Sequence, residues 1–230
     1  AEDREKILRW YIGKCQKEFA DCGYENLELG GFYWMNEAVI WEKDDSHIIA
    51  EVADIVHDMG SYFMWIPYYT ANRYFLGYEM GFDFVNMQPN VVFDLDSPLW
   101  RFDSTAMLTK YNKMSVEIEH TRQAMSDIAF ARNYMLYLYY GEVYGYIDSI
   151  HVYYNDRDNI SAMGFSDDPL CRLQYDATYH FAKGTLDVTP DTKEKAVFDA
   201  AANDIFTANL NPEKDYDSPS LTDAVHRRLA

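Results

Sequence analysis

Cysteine is scarce. Cys15, Cys22 and Cys171 are the three in 230 residues, and none stands in a CxxC pair. No His/Cys cluster has zinc spacing, so a structural zinc site finds no support. An odd count argues against a disulfide framework, with one Cys15–Cys22 bridge left open. Positive charge is also in short supply. Twenty Lys and Arg stand against 38 Asp and Glu, a net charge of −18. Such a field repels phosphate backbones and excludes nucleic acid as a partner. No apolar run is long enough to span a membrane. No GxGxxG or P-loop follows any apolar segment, so nucleotide-binding forms of an open sheet lack support. No HxH or HExxH spacing is present, and a site built from Glu119, His120 and His151 is the weak remaining option for a metal. The reading therefore includes no metal and no other cofactor.

What the chain does have is apolar and aromatic bulk. Apolar residues make up 48% and aromatics 17%, with 20 tyrosines. That is enough to bury a sizeable core in one large domain or two small ones. Tyrosine pairs an apolar face with a polar tip, which suits a carbohydrate cleft, although tyrosines also simply fill core and surface. The first residue is Ala1, no signal peptide is present, and the N-terminus reads as processed or trimmed.

Periodicity organises the rest. Residues 2 to 20 carry apolar positions at helical spacing. Strands are expected over 27–36, 61–69, 82–90, 113–120 and 145–154. Between them lie an amphipathic helix over 44–60, a short helix ending at Gly81, a loop over 91–103, a helix over 104–112 and a long helix over 121–144. A loop over 155–169 precedes a helix near 170–183. A last helix opens at Thr189-Pro190, where a cap residue precedes a proline. The strands are apolar on both faces, as parallel strands covered by helices are. The order fits an open doubly wound sheet or the later part of a (β/α)8 barrel. The barrel is the expectation adopted: a TIM-barrel-like α/β fold with about the last five strands present. Residues 1–184 would form the partial barrel and 185–230 a C-terminal helical extension.

In such a barrel the site lies where the strands end. The ends offer Asn36-Glu37 after Tyr33; then Trp65, Tyr68 and Tyr69; then Asn86, Gln88 and Asn90; then Glu117 and Glu119; then Tyr153, Tyr154 and Asn155. Amides and acids bind sugar hydroxyls, and flat rings bind sugar faces. Glycosidic hydrolysis needs one carboxylic acid to protonate the leaving oxygen and a second carboxylate to attack or to activate water. Period-two alternation puts Glu117 and Glu119 on one face with Ser115, opposite Met114, Val116 and Ile118. The plain alternatives are a structural arginine partner for one of these glutamates and a solvated loop position for Glu37.

An Asn-Glu pair at one strand end, with a second Glu three strands later, resembles clan A glycoside hydrolases. That resemblance implies Glu37 as acid/base and Glu117 as nucleophile, with Glu119 in reserve. It also implies that the first strand here is barrel strand four. The blocks "GGFYWMNEAV", "FMWIPYYTANRY…GYEMGFDFVNMQPNVVF" and "MSVEIE" look like the bacterial domain-of-unknown-function 4855 family, over roughly residues 25 to 155. That resemblance implies a barrel related to glycoside hydrolases, often in exported bacterial proteins. It supplies no settled substrate.

The expected function is a retaining glycoside hydrolase acting on a polysaccharide or oligosaccharide. The alternatives are a carbohydrate-binding barrel without turnover and a structural or assembly domain. A second chain or a missing N-terminal segment would complete the barrel. The expected location is secreted, periplasmic or cell-surface. Of two close carboxyls one pKa should rise. Glu37, among Trp34 and Tyr68, is expected to be the raised one and Glu117 to stay ionised.

Overall fold

The computed structural model describes residues 2–186. The expected helical extension from 187 onward, including the helix opening at Thr189, lies outside the described residues. Five strands form one sheet: β1 (Gly31–Trp34), β2 (Tyr62–Trp65), β3 (Phe84–Met87), β4 (Ser115–Glu119) and β5 (Val152–Tyr154). Neighbours pair in sequence order and every pair is parallel. The helices are α1 (Glu2–Asp21), α2 (Asp45–Asp58), α3 (Trp100–Tyr111), α4 (Ile128–Tyr144), α5 (Asn159–Gly164) and α6 (Pro169–Ala182). The sheet curls into a half barrel. Strand count, order and direction match the sequence-based expectation.

The strands are shorter than the apolar runs, because each run continues past its last ladder bond into a loop. The clearest difference is before β5. Gly145 takes φ 80° and ends α4, and the next residues, Tyr146–Asp148, make a buried 3-10 turn rather than strand. The expected helix over 121–144 is likewise divided. Asp127 caps α4 by accepting from the Ala129 N–H at 2.8 Å, and a 3-10 turn over Arg122–Met125 precedes it. The short helix before Gly81 is two 3-10 turns, Tyr74–Leu76 and Tyr78–Met80. α3 begins at Trp100, inside the segment expected as loop, and α5 occupies part of the 155–169 loop.

Register sorts the two faces of the sheet. Phe63 and Trp65 of β2 join Val85 and Met87 of β3 in a buried cluster with Ile48, Ile49, Val52 and Val56 of α2. That is the outer, helix-covered face. Tyr33 pairs with Met64, Asn86 with Ser115, and Glu117 with Val152, so these residues share the inner, concave face. Arg4 ties α1 to the first turn of α2 through Asp45 at 2.7 Å, and Asp45 also accepts from the Ile40 N–H at 3.1 Å. No helix among the described residues is long and apolar enough to cross a membrane.

The glycine in β1 is set by backbone approach. A Cβ on Gly31 would lie 2.2 Å from the Tyr62 carbonyl oxygen, whereas one on Gly30 meets nothing within 4 Å. Backbone in a ladder cannot yield, so Gly31→Ala should lower stability by about 1–3 kcal/mol, the range for overpacking. Gly30→Ala should leave it near wild type. Urea denaturation of both variants is the measurement, and equal midpoints would refute the register of β1 on β2.

Candidate active site at the strand ends

The loops after the strands are knitted together by backbone. The Trp65 indole N–H donates to the Asn36 carbonyl at 2.9 Å, and the Tyr68 N–H donates to the Glu37 carbonyl at 3.3 Å. The Gln88 N–H donates to the Pro67 carbonyl at 2.9 Å. The side chains of Asn36 and Glu37 are left exposed at the mouth of the concave face.

Glu117 and Glu119 have different surroundings. Glu119 is 0% exposed. Its carboxylate accepts from the Asn90 N–H at 2.7 Å, from the Asn90 amide at 3.1 Å and from the Tyr137 hydroxyl of α4. The Tyr137 oxygen in turn accepts from the Val91 N–H at 3.0 Å. Burial outweighs these donors and pushes the Glu119 carboxyl up to about 8. Every partner of Glu119 is part of the scaffold, so it acts as a clamp. Glu117 is buried on the concave face and has no such set of donors. Burial first, and the negative charge of Glu37 second, push it up to about 7. This corrects the expectation that Glu117 stays ionised: its pKa is pushed up toward neutral. The reason is depth, since Glu117 lies within the curl while Glu37 stands in solvent.

Tyr33 stands with the pair. Burial, then Glu117, then Glu37, push its phenol up to about 12. Tyr68 is exposed at the rim, at 42%. Asn86 is 0% exposed on the concave face, and neither its side-chain oxygen nor its nitrogen has a hydrogen-bond partner. Asn155 is half-buried and its side-chain oxygen is also unpartnered.

Several expected binding residues are placed elsewhere. Trp65 lies on the outer face and stacks on Phe82, so it belongs to the core. Tyr153 pairs in register with Ile118 and faces outward, where its hydroxyl meets His151 Nδ1 at 3.1 Å. Tyr69 is pinned: its hydroxyl meets Ser104 at 2.8 Å, and the Arg101 guanidinium lies 5.0 Å from its ring centre. Gln88 donates to the Ile66 carbonyl at 3.2 Å and accepts from Asn90 at 3.1 Å. Asn90 sits at φ 53° with its amide on Glu119 and Gln88. These two amides hold strand ends together and are not free for a sugar.

Tyr154 was one of the expected strand-five end residues, whereas Phe93 and Tyr137 were not singled out by sequence. Tyr154 is the inward tyrosine of its pair, 42% exposed, and stands edge-on to Phe93 with ring centres 5.5 Å apart. Counting parity back from the Glu117–Val152 pairing would have marked it as the inward one, but "VYY" alone offers no phase. His120 is a structural residue. Asn159 donates to its Nδ1 at 3.1 Å, and its Nε2 lies 3.2 Å from the Gln174 amide oxygen. Burial lowers its pKa to about 4. His151 Nε2 meets the Ile147 carbonyl at 2.7 Å, so Glu119, His120 and His151 each bond to the scaffold. No group of three or more metal-ligating side chains occurs among the described residues.

The raised carboxyls have a signed consequence for stability. The folded chain keeps protons on Glu117 and Glu119 that the unfolded chain loses above about pH 4.5, so this contribution falls as pH rises toward 7 and 8. Buried neutral His120 pulls the opposite way below about pH 6.5. Between pH 6.5 and 8 the glutamates act alone of the three. Glu117→Gln should therefore make the decline in stability, read by thermal melting, shallower, by about 1 kcal/mol across that window and about 3 kcal/mol counted from pH 4.5, with the Glu119 part left in place. Parallel curves for the two proteins would show that Glu117 ionises freely.

Comparison with known proteins bears on family alone. No curated protein and no solved structure matches the chain. The match found is to a domain of unknown function, DUF4855, over residues 1–180. The sequence blocks that form β1 to β5 and their loops lie within that match, and with it covering well over half of the 230 residues, the chain belongs to the DUF4855 family.

Proposed function

We propose that this chain is a glycoside-hydrolase-like protein that acts on a polysaccharide or oligosaccharide through Glu37 and Glu117. The observation that carries the reading is electrostatic. Two carboxyls from the ends of β1 and β4 feel one another across the concave face, and the Tyr33 phenol feels both. One buried carboxyl with a pKa raised toward neutral, beside a second, exposed carboxyl, is the kind of pair that glycoside cleavage requires. A retaining mechanism needs carboxyls about 5 Å apart and an inverting one a wider gap, and the retaining form is the one adopted here.

In this reading Glu117 protonates the departing oxygen and Glu37 attacks the anomeric carbon. Water then releases the sugar with Glu117 as base. The roles implied by the strand order are exchanged, following the raised pKa of Glu117. Tyr33, Tyr68 and Tyr154 supply faces and hydroxyls for the sugar, and Asn36 and Asn155 supply amides. An exported location accords with a polysaccharide substrate.

Assembly has its own observation. β1 and β5 each pair on one side alone among the described residues, and α1 exposes Ile7, Trp10 and Tyr11. Further strands, from another chain or more of the same polypeptide, would close the barrel.

A screen of aryl glycosides and polysaccharides tests the enzymatic reading, with Glu37→Gln and Glu117→Gln beside wild type. Glu37→Gln should abolish turnover. Glu117→Gln should lose 10²–10⁴-fold on poor leaving groups and little on activated ones, the range for a general acid. Wild-type kcat/KM should fall as pH rises past about 7, where Glu117 loses its proton. If Glu37→Gln is the variant spared on activated leaving groups, the roles follow the strand order instead. Wild-type rates in both variants would remove the pair from the chemistry and leave a sugar-binding barrel.

A further inference from the structure

The concave face carries acids and an amide but no base. Its inward positions include Tyr33, Met64, Asn86, Ser115, Glu117 and Tyr154. Among the described residues, no inward position of the five strands is Lys or Arg. Three arginines of the surrounding loops have partners of their own. Arg73 lies over the Trp41 ring at 4.5 Å. Arg101 lies over Tyr69 and donates to the Pro89 and Asn90 carbonyls at 3.4 and 3.1 Å. Arg122 pairs with Asp158 at 2.7 Å. Arg157 lines a cleft of about 550 Å³ past the end of β5 together with Arg122, Asp156 and Asp158. None of the four is committed to the Glu37–Glu117 face.

Asn86 is the second observation. It is 0% exposed, pairs in register with Ser115 and faces the same side as Glu117. Its side-chain oxygen and nitrogen have no partner within the protein. A buried amide left without partners is costly, and such groups are ordinarily satisfied. The other strand-end amides, Gln88 and Asn90, are satisfied by the scaffold, so Asn86 is not following a local rule of the fold.

We propose that the concave face admits sugars without an acidic group, neutral or amine-bearing, and that Asn86 seats one polar substituent of the sugar, a hydroxyl or an amide. The proposal rests on the carbohydrate reading above and adds the substrate class. An amide oxygen and nitrogen side by side match a substituent that both donates and accepts. A uronate or a sulfate ester would bring like charge beside Glu37 and Glu117 with no cation to neutralise it, which is selection by repulsion.

The test is a polysaccharide panel of four classes: neutral, amino-sugar, uronate-containing and sulfated. Binding is read at low and high salt for wild type and for Asn86→Leu. Hits should fall in the neutral and amino-sugar classes, and Asn86→Leu should weaken them by roughly tenfold or more, as a site does when a polar contact is lost. Asn86→Leu should melt no lower than wild type, since it removes a polar group the protein itself does not satisfy. If the Leu variant fails to fold, Asn86→Asp gives the same readout by adding a charge where the sugar would sit. Hits confined to uronates or sulfated glycans overturn the substrate class and leave the carbohydrate reading standing. Undiminished binding by folded Asn86 variants overturns the role of Asn86. No hit in any class overturns the carbohydrate reading and this inference with it.

Discussion

Glu119 is the point on which the upper rim of the sheet depends. A carboxyl with no exposure is expensive to bury, and a set of donors from two other elements offsets part of that cost. Asn90 comes from the loop after β3 and Tyr137 from α4. The same tyrosine oxygen receives the Val91 N–H, so one phenol satisfies a carboxylate on one side and a loop backbone on the other. Removing any member leaves another group buried without a partner. The positive φ at Asn90 has its explanation here: the backbone turns so that main-chain N–H and side-chain amide reach the two oxygens of one carboxylate.

With that rim fixed, the concave face can hold an unequal pair. Glu117 and Glu119 are two residues apart on one strand, yet one is enclosed by donors and the other faces Glu37. Their distinct surroundings come from neighbours contributed by other elements, while burial raises the pKa of both.

Much of the fold was legible because parallel strands covered on both sides write long apolar runs, as in "GGFYW" and "SYFMWIPYY". The pairing order followed from the strand–helix alternation. Strand limits were less legible, because "GYIDSIHVYY" keeps the same composition through a turn and a strand. The Glu37–Glu117 juxtaposition was visible from strand-end position. The raised pKa of Glu117 was not, since it depends on how deeply the curl buries the carboxyl. Trp65 and Tyr153 were misplaced for a common reason: alternation gives two faces but not which one is inside. Gln88 and Asn90 look like sugar ligands by type, and only the carboxylate they meet shows that they are in use.

The rigid loop after β3 also bears on how specificity could be altered. Its amides, its carbonyls and its turn are largely committed to Glu119, Tyr137 and Arg101, so laboratory selection for a new ligand has little freedom there. Side chains without such commitments stand around it: Met35 and Tyr68 on one flank, Phe93 and Tyr154 on the other. Adaptive substitutions would therefore accumulate on the two flanks of the mouth, with the floor between them nearly invariant across selected lineages.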